Sequence, residues 1–122
     1  MKKDPQDVSK LESWQCNAQA EIIAVIKEES QITYNALAIA AKMTGPYKIH
    51  RLTLWLEQMM VEDHCCGRPF RAAVVISKAR NGLPAPGFFK KADQLGLKFE
   101  IGNLVPQYKA YLQTVYASNL GI

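Results

Sequence analysis

Long apolar runs are missing from this chain of 122 residues. No segment approaches the roughly 18 consecutive apolar residues that a membrane-spanning helix needs, so no membrane partner is expected. The first ten residues, MKKDPQDVSK, bring two lysines and then turn polar and acidic. They lack the apolar core of a secretory signal, and a cytoplasmic location is the expectation. Cysteine is scarce as well. Cys16, Cys65 and Cys66 are odd in number and two are adjacent, a poor start for a disulfide framework.

Catalytic signatures are equally thin. The chain has no glycine-rich phosphate loop, no Gly-x-Ser-x-Gly elbow and no paired histidines at metal spacing. His64 stands beside Cys65 and Cys66, but a tetrahedral zinc site wants four ligands with loops between the cysteines. His50 is the only other histidine. Burial as small apolar residues suits the two cysteines better. No catalytic residue, metal or cofactor is expected, and a non-enzymatic protein is the reading. A cysteine-dependent enzyme stays as a third hypothesis, because Cys65 with His50 or His64 makes a nucleophile–base pair if the fold joins them.

What is present is a core. Apolar residues make up 48% of the sequence, enough for one compact domain over residues 1–122. The net charge of +4 is unevenly spread. Residues 1–30 hold four lysines against six acids, whereas residues 42–91 hold nine basic and three acidic side chains. Basic charge concentrated in the middle of a chain is the electrostatic footprint of phosphate binding, and a basic pI is also common among small bacterial proteins.

Along the chain, Asp4-Pro5 is a good helix start, and Val8, Leu11, Trp14, Ala18, Ile22, Val25 and Ile26 form one stripe at helical spacing. That predicts an N-terminal helix within residues 1–30, packed on the back of the domain. Residues 31–33 lean towards β structure, and Thr33 caps a helix over residues 35–43 with Leu37, Ala40 and Ala41 inward. Gly45-Pro46 breaks the chain. A longer helix follows over residues 47–62, with Ile49, Leu52, Leu56, Met59 and Met60 as its buried stripe and Trp55 in the core. Residues 72–77 read as a strand buried on both faces, and Asn81-Gly82 is a strong turn signal. A helix starting at Gly87 and ending at Gly96, then one over residues 105–118 with Tyr108, Tyr111 and Tyr116, complete the chain.

Helix, turn, longer helix, strand and basic loop is the order of a winged helix-turn-helix over residues 31–87. The fold expected is therefore α+β: a helix-rich winged helix-turn-helix with a small sheet, an N-terminal helix before it and helices over residues 88–122 after it. Base-reading residues sit near the start of the second helix in such a unit. Tyr47, Lys48, His50 and Arg51 are the candidates for the groove, with Lys78, Arg80 and Asn81 on the backbone beside it.

Two segments carry a resemblance. ITYNALAIAAKM resembles the start of the winged-helix half of alkyltransferase-like proteins, which read T-Y-x-x-L-A. RAAVVISKARNGLPAPGFFKKADQLG resembles a segment of small bacterial proteins, where an LSALVV-type strand precedes a P-G-x-G-F stretch and a helix. The alkyltransferase's reactive Pro-Cys-His-Arg motif is absent, and His64-Cys65-Cys66 does not match it. The resemblance implies the winged-helix shape and no alkyl-transfer chemistry.

Two functions fit these features. The first is a small DNA-binding regulator, possible also as a homodimer, that takes double-stranded DNA on the basic face. The second is a protein-interaction module such as an antitoxin, immunity protein or phage-encoded inhibitor, with the basic face meeting an acidic protein partner.

Overall fold

The computed structural model describes residues 12–118. The expected helix start at Asp4-Pro5, with Val8 and Leu11, lies outside them. Five α-helices and one two-stranded parallel sheet make a helix-rich α+β fold: α1 (Ser13–Lys27), β1 (Ile32–Thr33), α2 (Tyr34–Ala40), α3 (Lys48–Cys66), β2 (Val75–Ile76), α4 (Pro86–Gln94) and α5 (Leu104–Ala117). No helix among the described residues is long and apolar enough to cross a membrane.

Helix α1 buries the stripe that its spacing predicts: Trp14, Ala18, Ile22, Val25 and Ile26. Thr33 caps α2 by accepting the Ala36 N–H at 3.1 Å. The helix stops at Ala40, three residues short of the expected Met43, and Gly45 is not its cap. Lys42 instead takes the left-handed conformation (φ 60°). The Met43 N–H then bonds back to the Ala38 carbonyl at 3.1 Å, and the Met43 side chain drops into the core. This is a Schellman closure, with the apolar residue just beyond the cap supplying the packing. Leu37, Ala38 and Ala41 point inward, whereas Ala40, expected inside, is exposed.

Helix α3 is longer than the sequence indicates. It runs one turn past Glu62 to Cys66 and ends on Gly67 in the left-handed region (φ 73°). Leu52, Trp55, Leu56, Met59 and Met60 are buried, and Trp55 meets Trp14 edge-on at 5.6 Å. Asp63 is buried in that added turn. Ile49, expected in the buried stripe, is exposed.

The largest departure is at residues 71–77. The run is as buried as a central strand, with Ala73, Val74 and Val75 sealed from solvent. Yet Arg71–Val74 is a 3-10 turn, and only Val75 and Ile76 are strand. The pairing is parallel, Ile32 with Val75 and Thr33 with Ile76. Side chains do the work of missing strand neighbours. Tyr111 Oη accepts the Phe70 N–H at 2.6 Å, Asp63 Oδ2 accepts the Arg71 N–H at 2.9 Å, and Tyr108 Oη donates to the Ala73 carbonyl at 2.6 Å. Every buried backbone group needs a partner, and here tyrosines and an aspartate supply it.

Residues 77–83 form a pinched loop. The Ser77 N–H donates to the Leu83 carbonyl at 2.8 Å, and Asn81-Gly82 turns the chain with both φ values positive (54° and 87°). The turn is where the sequence places it, but 3-10 geometry at Lys78–Arg80 replaces a strand arm. No antiparallel hairpin is present among the described residues. Helices α4 and α5 match expectation to within a residue or two. Phe88, Ala92, Tyr108, Leu112 and Val115 close the core.

Candidate nucleic-acid interface

The site is assembled from α2, the first turn of α3 and the 77–83 loop. Thr33 fixes where α2 starts, which sends Asn35 and Ile39 outward while Leu37 and Ala38 go in. The connection from α2 to α3 spans residues 41–47, longer than the three- or four-residue turn of a compact helix-turn-helix. Met43 anchors its middle, and Tyr47 enters α3 in a left-handed conformation (φ 59°). No side chain caps α3, which leaves its first-turn N–H groups available to an anion.

Two adjoining grooves cover this face. One is lined by residues of α2, the 41–47 connection and the start of α3, including Met43, Tyr47, Lys48 and His50. The other runs from Thr33 and Tyr34 to Ser77, Lys78 and Ala79. Asn35, Ile39 and Ile49 line both, so the two are continuous. Among the described residues, neither is lined by an acidic side chain.

Four of the seven residues singled out by sequence therefore share a surface: Tyr47, Lys48, His50 and Lys78. The other three do not line it. The half-buried Arg51 is engaged by the protein's own backbone, its guanidinium donating to the Thr44 carbonyl at 2.7 Å and the Pro46 carbonyl at 3.4 Å. It also lies 5.7 Å from the centre of the Trp14 ring, a cation–π contact. Arg51 thus ties down the loop before α3. Arg80 folds over Phe89 at 5.9 Å, and Asn81 sits at the exposed tip of its turn.

Asn35, Ile39 and Ile49 were not singled out. Ile49 was expected in the buried stripe of α3, and Ile39 lies off the stripe of Leu37, Ala40 and Ala41 expected to face inward. Both are exposed (69% and 43%), which residue type alone does not show.

The cysteines also depart from expectation. Cys65 and Cys66 are exposed rather than buried, and Cys16 is exposed as well. Asp63 occupies the inward position of the last turn of α3, which turns Cys65 and Cys66 to solvent. Among the described residues no group of three or more His, Cys, Asp or Glu is placed to hold a metal ion.

Compared with protein-family models, with curated proteins and with solved structures, the chain finds no match.

Proposed function

We propose that this protein is a non-enzymatic, double-stranded DNA-binding module of the winged helix-turn-helix kind. Helix α3 serves as recognition helix and the 77–83 loop stands in for the wing. The observation that carries this reading is the face, free of acidic side chains among the described residues, that joins Lys48, at the uncapped start of α3, to Lys78 on the loop. Tyr47 and His50 stand at the same end, within reach of base edges when the helix start enters a major groove. One lysine on each of two adjoining grooves suits two phosphate contacts, with base edges met by the residues the grooves share.

The test is anisotropy of a labelled random duplex at about 50 and 200 mM salt. Binding is expected to fall steeply between the two. Lys48→Ala and Lys78→Ala are each expected to make the dependence of log K on log salt shallower by about one. Arg51→Ala, by contrast, is expected to lower thermal stability, since its guanidinium holds the loop. No binding at the lower salt contradicts the proposal.

One observation favours a second reading, a protein-interaction module: Ile39, Tyr47 and Ile49 expose large apolar surface on the same face. A single stoichiometric protein partner that is lost on Ile39→Asp, with no duplex retained, supports that reading instead.

A further inference from the structure

The middle of the proposed DNA-binding face is not basic. Where the two grooves meet, the shared residues are one amide and two branched aliphatics: Asn35, Ile39 and Ile49. All three are exposed, and Lys48 and Lys78 flank them on either side. Phosphate contacts explain the flanks but give no reason for large apolar side chains in water between them.

Base chemistry does. An asparagine amide matches the N7 acceptor and N6 donor of adenine in a bidentate pair, and an apolar side chain suits the C5-methyl of thymine. Both groups are on the major-groove edge of one A·T pair. Guanine offers two acceptors there and cytosine has no methyl, so the same trio meets a G·C pair with a mismatched amide and nothing to bury. The minor groove offers neither feature.

We infer that Asn35, Ile39 and Ile49 read an A·T pair from the major groove, Asn35 on the adenine and the isoleucines on the thymine methyl. This rests on the DNA-binding reading above and adds a base preference to it. The lysines set affinity and register, and the central trio sets sequence.

Four short duplexes of matched length, alternating dA-dT, dA-dU, dI-dC and dG-dC, test this by anisotropy, each titrated at about 50 and 200 mM salt. Hypoxanthine–cytosine pairs copy the minor groove of A·T and the major groove of G·C, so they separate the two edges. The dA-dT duplex is expected to bind on the order of tenfold tighter than dG-dC and dI-dC. The dA-dU duplex, which lacks only the methyl, is expected to fall between. In Asn35→Ala the preference of dA-dU over dG-dC collapses while the salt dependence stays as in the parent protein, and in the double variant Ile39→Ala/Ile49→Ala dA-dT binds no better than dA-dU. All three positions are exposed, and an unchanged melting temperature checks that each variant folds. Equal affinity for all four duplexes with a normal salt dependence overturns the A·T assignment and leaves DNA binding standing. Equal affinity for dA-dT, dA-dU and dI-dC, all above dG-dC, places the contact in the minor groove and also overturns it. Absence of binding to every duplex overturns the underlying reading.

Discussion

Asp63→Ala is expected to destabilise the fold by about 3–5 kcal/mol, the usual result of leaving a buried charge without its partner. Asp63 is fully buried at the end of α3. It accepts from the Arg71 side chain through Nε and Nη2, both at 2.9 Å, and from the Arg71 N–H at 2.9 Å. Arg68 Nε adds a contact at 2.6 Å, but the Arg68 side chain is about a third exposed and contributes less. Glu62, 3.9 Å from Arg71 and largely in water, is no substitute. Removing the carboxylate strands the Arg71 guanidinium, with Arg71 only 8% exposed, and leaves a backbone donor unpaired. The melting temperature should drop on the order of 10 °C. Because total stability is itself of order 5–15 kcal/mol, Asp63→Asn serves as the milder companion if alanine prevents folding. A loss below about 1 kcal/mol would mean that this cluster does not hold α3 to the 71–74 turn.

The same cluster shows what the sequence concealed. Asp63 follows Glu62 and precedes His64, and nothing in that polar run distinguishes the one buried acid from its exposed neighbours. Its role depends on Arg68 and Arg71, which read from sequence as part of a basic surface. The helix periodicities, by contrast, were legible: α1, α3 and α5 bury nearly the residues their spacing selects, because one stripe per helix faces one core. The end of α4 was legible at Gly96, whereas α3 was expected to stop at Glu62 and runs on to Gly67. Helix ends were hidden where Glu29 and Lys42 take the left-handed position, since there the packing of neighbours overrides residue preference. The 71–77 run has the composition of a strand but only a two-residue partner, and composition cannot say whether a partner exists. At the candidate site, charge and helix order indicated Tyr47, Lys48, His50 and Lys78. They could not show that Arg51 folds back on the loop before α3 or that Ile39 and Ile49 are exposed.

Alkaline unfolding is the second large effect expected. Burial pushes the hydroxyls of Tyr34, Tyr108, Tyr111 and Tyr116 above the ordinary tyrosine range. Tyr108 is shifted furthest: its hydroxyl is sealed in the core, donating to Ala73 and accepting from Gln31 Nε2 at 2.9 Å. Tyr116 donates to the Ser30 carbonyl at 2.8 Å. Ionisation would remove these donors and set a phenolate against a carbonyl. Tyr34 and Tyr111 accept the N–H groups of Ala85 and Phe70, which pulls their values back without cancelling burial.

The sign follows from proton linkage. A tyrosine titrates near pH 10 when unfolded and higher when folded, so above about pH 10 the folded chain holds protons that the unfolded chain releases. The stabilisation is complete below that pH and is lost as pH rises through the raised folded values. Stability should stay level with respect to these groups up to about pH 10 and then fall steeply. Phenolate absorbance from the four tyrosines should emerge together with the loss of near-ultraviolet circular dichroism. Smooth titration of every tyrosine near pH 10 with the fold intact would contradict this.

The most direct measurement of the proposed function is an amide chemical-shift titration of isotope-labelled protein with a short duplex at about 50 mM salt, repeated at about 200 mM. Shifts are expected at Asn35, Ile39, Lys48, Ile49, His50 and Lys78, weakening at the higher salt, with the exposed faces of α1 and α5 unmoved. A spectrum unchanged by duplex at the lower salt, or shifts confined to α1 and α5, would contradict DNA binding by this face.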